Sequence, residues 1–131
     1  MGISFAQPKF DVANSNTDYT HALGYSYSED PNFMYCAEDM HQLDGANWWL
    51  GSCALSGGSS GGPWVQPMDL ANGSGPLISV NSWGYTNQPG MAGPKLWGTS
   101  AAAVFACAND GTSSASTDGD EGLIYSTTGC R

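Results

Sequence analysis

The stretch Ser56-Gly57-Gly58-Ser59-Ser60-Gly61-Gly62-Pro63 decides how this chain is read. Taken alone it has the composition of a flexible tether. Its flanks argue against that. Cys53 lies seven residues before Ser60, and Pro63-Trp64-Val65 continues in extended, apolar composition. Glycines held inside a fold have another use, because they reach backbone conformations that a Cβ forbids. The stretch is therefore expected to form a tight turn between sheet segments, with Ser60 at its surface.

On either side the chain reads as short strands. Thr20-His21-Ala22-Leu23-Gly24-Tyr25 alternates loosely, and Asn32 to Ala37 follows as a second candidate. Asn47-Trp48-Trp49-Leu50 comes after an Asp44-Gly45 turn signal. Pro76 to Trp83 is the clearest strand, rich in β-branched residues. One segment changes period: Thr99-Ser100 precedes an Ala-rich run, Ala101 to Ala108, which predicts a capped helix. This gives an irregular lead-in over 1–18, a β-domain over 19–109 with a helix near 99–109, and an acidic tail over 110–131. The expected class is all-β, a small barrel with one short C-terminal helix.

Composition narrows the function classes. The chain has 131 residues, the length of one domain. Three basic against twelve acidic side chains give a net charge of −9, which argues against nucleic acid and anionic membrane as partners. Eighteen Gly and seven Pro favour turns over long helices. No run approaches a membrane span, and Met1 to Pro8 lacks the basic and apolar regions of a signal peptide. Ala6 stands where a myristoylation motif needs Ser or Thr.

Four cysteines, at 36, 53, 107 and 130, contain no C-x-x-C pair, which argues against a zinc ribbon. Of the three connectivities, Cys36–Cys53 and Cys107–Cys130 close turn-rich segments locally and are expected, in a secreted or other oxidising setting. Asn72-Gly73-Ser74 is an N-glycosylation triplet in a Gly-rich turn. Asp118-Gly119-Asp120-Glu121 lacks the spacing of an EF-hand and reads as solvated loop, so no metal and no cofactor are expected. Trp48-Trp49 reads as one ring in the core and one at the surface.

Gly58-Ser59-Ser60-Gly61-Gly62-Pro63 resembles the G-x-S-G-G-P nucleophile motif of trypsin/chymotrypsin-like serine proteases. Twenty-two residues after Ser60, Ser82-Trp83-Gly84 is similar to that family's substrate-pairing strand. His21 to Tyr25, and Gly93 to Gly98 before the Ala-rich helix, look like bacterial and fungal secreted members. The resemblance covers about residues 20–109 and implies the second, six-stranded Greek-key barrel of that fold. It implies Ser60 as nucleophile, the N–H groups of Gly58 and Ser60 as oxyanion donors, and Ala54, Ser82, Trp83 and Gly84 as substrate contacts. Ser59 stands where trypsin has the Asp that receives its new N-terminus, and Ala54 where trypsin has its pocket Asp. A preference for Arg or Lys is therefore not expected. Asn81 stands where glutamyl-specific relatives tend to carry His.

A triad also needs an imidazole base and an orienting carboxylate. In that family both come from a first barrel, of which the sequence holds no segment. His21 and His41 are the chain's two histidines, and each reads as an ordinary structural or surface residue. The expectation is thus the C-terminal half of a secreted serine endopeptidase, inactive alone, its partner the missing barrel and its substrate a peptide. The alternative is a non-catalytic binding or structural subunit of an extracytoplasmic assembly, built on the same barrel.

Overall fold

The computed structural model describes residues 5–8 and 19–109, with the backbone of 125–126 and 129–130. The chain forms two compact units, Met1–Lys95 and Leu96–Arg131. In the first, the strands are β1 (Tyr19–Gly24), β2 (Met34–Asp39), β3 (His41–Gln42), β4 (Asn47–Leu50), β5 (Pro63–Val65), β6 (Leu77–Val80) and β7 (Met91–Pro94). A 3-10 turn over Tyr27–Glu29 links β1 to β2. In the second unit lie helix α1 (Ser100–Asn109) and the paired strands β8 (Tyr125–Ser126) and β9 (Gly129–Cys130).

The strands of the first unit make two antiparallel sheets, in the orders β2-β1-β5-β6 and β3-β4-β7. β1 is the centre of the larger sheet. It pairs along its whole length with β2, from Tyr19 opposite Asp39 to Gly24 opposite Met34, and through His21 and Ala22 with β5. Thr20, His21 and Ala22 are all buried along this strand. The chain changes sheet between β2 and β3 at Met40, whose buried side chain turns the corner. β4 keeps the period of a half-buried strand: Trp48 and Leu50 face inward, while Asn47 and Trp49 are only partly covered. The two inner faces close over Ala22, Met40, Leu50, Trp64, Ile78 and Met91, among others.

The expected six-stranded Greek-key barrel is not what forms; both sheets are open. Closure would need a continuous ladder between β6 and β7. Only one bridge, Trp83 opposite Ala92, joins the segment after β6 to β7. At the end of β7, Pro94 has no N–H to give, and its carbonyl accepts instead from the Ser79 hydroxyl at 2.7 Å. The free flank of β6 is occupied at Leu77 by the start of the chain, where the Ala6 amide donates to the Leu77 carbonyl at 2.9 Å. A side-chain bond, one bridge and a parallel contact stand where a barrel would have backbone pairing.

The expected helix forms over Ser100–Asn109. The Thr99 carbonyl accepts from the Ala103 amide, which starts the helix, and the Thr99 hydroxyl donates back to the Leu96 carbonyl at 2.7 Å. The Cys36–Cys53 disulfide is formed and joins β2 to the loop after β4. The expected Cys107–Cys130 pair, the lead-in over 9–18 and the acidic tail up to 124 lie outside the described residues.

Candidate functional site

Residues 56–62 form a pinned turn. Gly58 and Gly61 take positive φ, 101° and 84°, where a Cβ is strained. Ser59 is buried, and both its amide and its hydroxyl donate to the Ser56 carbonyl, at 3.1 and 2.7 Å. The Gly62 amide returns to the Ser59 carbonyl at 3.0 Å. Gly62 must be glycine for a different reason: a Cβ there would meet the Leu23 carbonyl oxygen at 2.0 Å.

Asn81 holds this turn to the sheet. Its backbone exchanges hydrogen bonds with Gly61 and Gly62, both at 2.8 Å. Its buried carboxamide donates to the carbonyls of Leu23 and Ser59, at 2.9 and 3.0 Å, and accepts from the Trp64 indole at 2.7 Å. Three of the four hydrogen-bonding directions of one side chain are used, which fixes the turn, β1 and β5 relative to each other.

Above the turn lies an open cleft of about 590 Å³. Ala54, Ser60, Ser82, Trp83 and Gly84 all line it, so five residues singled out from the sequence meet on one surface. Gly58 does not line it; it packs beneath Tyr27, whose ring carbon a Cβ on Gly58 would meet at 3.1 Å. The far wall, which the sequence reading missed, includes Leu55, Tyr85, Gln88 and Met91. The Pro89-Gly90 turn signal was the one cue available there. Gly90 takes φ 129°, and a Cβ at that position would meet the Trp49 ring at 2.1 Å. Trp49, Tyr85 and Trp83 then form a chain of ring contacts with centroids 5.6 and 5.3 Å apart.

Among the described residues, the cleft lining has no charged side chain and no histidine. His41 is exposed on β3, and His21 is buried in β1 beside a different cleft with Tyr19 and Tyr35. Burial holds the His21 imidazole below its usual range, and its Nδ1 has no partner among the described residues. Nor do three His, Cys, Asp or Glu side chains converge among the described residues. Among the described residues Ser60 is therefore an exposed alcohol with no base in the cleft beside it, and Gly58 is not one of the residues that line that cleft.

The segment Ser82–Gly84 forms one lip of the cleft. The Trp83 amide donates to the Ala92 carbonyl at 3.3 Å, and the Trp83 carbonyl accepts from the Ala92 amide at 2.6 Å. Peptide planarity points each C=O away from the N–H of the same unit. The Ser82 carbonyl and the Gly84 amide therefore face away from β7, and neither has a backbone partner among the described residues.

No protein-family model, no curated protein and no solved structure matches the chain. Together with the open sheets and the lack of a triad among the described residues, this overturns the serine-protease resemblance. Protease, trypsin-like, chymotrypsin fold and β-barrel do not describe this protein. Neither does an endopeptidase half awaiting its partner, nor a subunit built on such a barrel.

Proposed function

We propose that the chain is a binding module that takes an extended peptide along Ser82–Gly84, with one uncharged side chain in the adjoining cleft. The outward-facing Ser82 carbonyl and Gly84 amide carry the reading, because they offer an incoming strand one acceptor and one donor. The lining supports an uncharged occupant: a buried Lys or Glu would find no counter-charge among its described residues. Trp83 and Tyr85, both partly exposed, supply the apolar walls. The Cys36–Cys53 disulfide fits an oxidising environment, and we place the module's peptide partner in an extracytoplasmic compartment accordingly.

Titration with a panel of short uncharged peptides, followed by amide chemical shifts, tests this. Saturable shifts at Ser82–Gly84 are expected. Trp83→Ala should weaken binding about tenfold or more, as loss of an aromatic anchor does. N-methylation of the peptide backbone should weaken it as well. No saturable shift, or binding indifferent to N-methylation, overturns the reading.

A further inference from the structure

We propose that Asn72 is an acceptor site for an N-linked glycan. Asn72-Gly73-Ser74 is the one Asn-x-Ser/Thr triplet in the sequence with x other than Pro. It falls at the tip of the hairpin between β5 and β6, where Asn72, Gly73 and Ser74 are all exposed. That placement is independent of the cleft, whose lining includes none of these residues.

The local geometry suits the modification. The hairpin is closed by the Asp69 amide on the Ser74 carbonyl at 2.8 Å and the Gly73 amide on the Asp69 carbonyl at 2.7 Å. Gly73 takes φ 73°, and a Cβ there would meet nothing, so the chain bulges into solvent. The Asn72 Oδ1 accepts from both the amide and the hydroxyl of Ser74, at 2.9 and 2.6 Å. The Asn72 Nδ2 donates one bond, to Asp69 Oδ2 at 3.2 Å. A carboxamide nitrogen carries two hydrogens, so the second is without a partner among the described residues. Replacing it by a sugar leaves every hydrogen bond of the hairpin in place.

The second requirement is chemical. Transfer occurs in secretory compartments that also form disulfides such as Cys36–Cys53. In the step, Asn72 Nδ2 attacks the anomeric carbon of a lipid-diphosphate-linked oligosaccharide supplied by the cell. A C–N bond forms, the C–O bond to the diphosphate breaks, the lipid diphosphate leaves and Nδ2 gives up one proton to base.

The test is expression of the full chain behind a secretion leader in a eukaryotic host. One slow-migrating band is expected, collapsed by peptide-N-glycosidase, with the glycan mapped to Asn72. Both Asn72→Gln and Ser74→Ala should abolish it, and Ser74→Thr, which keeps the hydroxyl, should retain it. Asn72→Gln and Ser74→Ala disturb the hairpin differently, so both losing the band while secreting normally identifies the triplet. Secreted wild-type chain without glycan, or a glycan that survives Asn72→Gln, overturns the assignment.

Discussion

Asn81 shows how much one buried amide decides. Its carboxamide joins Trp64, Leu23 and Ser59, contributed by three separate segments. Nothing in its neighbours Val80 and Ser82 announces this, because the partners are 17 to 58 residues away in sequence. Asn81→Ala should cost about 2–4 kcal/mol, since it strands a buried indole N–H and two carbonyls. Asn81→Asp should cost more: it keeps the acceptor for Trp64 but sets a carboxylate oxygen against two carbonyl oxygens. Urea unfolding of the two variants checks the order, and Asp proving milder than Ala would refute the assigned hydrogen-bond directions. The glycines are legible by contrast. Gly58 and Gly61 could be read as turn formers from their setting, whereas the demand at Gly62 comes from the Leu23 carbonyl, a tertiary neighbour.

At the scale of elements, β1, β4, β6 and α1 follow from local pattern, within a residue or a few of their observed ends. β3 and β7 do not. His41-Gln42 is too short to show a period, and Met91-Ala92-Gly93-Pro94 carries none of the β-branched residues that mark a strand. β7 exists because β4 offers it a pairing edge from Asn47 to Leu50. β1 also carries a pH response. Its His21 packs against the rings of Tyr19 and Tyr35, with Ala37 of β2 and Val65 of β5 opposite in register. Burial lowers its folded pKa below the ordinary 6.5, so the unfolded chain takes up the proton first. The stabilising difference is full above 6.5 and is lost as pH falls toward the folded value. The unfolding midpoint should therefore drop between about pH 7.5 and about pH 5.5, in a window above most carboxylate titrations. His21→Phe should flatten that drop; an unchanged slope would assign it elsewhere.

For the first unit as a whole, the link between its two sheets matters most. Cys36 belongs to β2 in the larger sheet, and Cys53 follows β4 of the smaller one. Beside the disulfide, the Glu38 carboxylate accepts the Ser52 amide at 2.9 and 3.1 Å. With only one backbone bridge between the β6 segment and β7, this covalent tie replaces part of what ladder closure would supply. Cys36→Ala with Cys53→Ala should lower stability by about 3 kcal/mol, the loop-closure value for a crosslink of this span. Hydrogen exchange should quicken in β2 and β4 together. Faster exchange confined to one sheet would show that the crosslink does not couple them.

The strands with a clear period, the Ala-rich helix, the local Cys36–Cys53 pairing and the Gly/Ser turn could all be anticipated from neighbouring residues. Each of these depends on residues close together along the chain, where period, φ preference and loop length act directly. Tertiary structure alone decided that the sheets stay open, that Gly58 turns under Tyr27, and that Ser60 meets Trp83 and Ala54 with no imidazole near. These outcomes depend on which distant edges find backbone partners, and a motif six residues long reports only its own turn. The same Ser-Gly pattern that shapes a nucleophile loop elsewhere shapes a cleft floor here, because a turn needs its glycines whatever chemistry surrounds it.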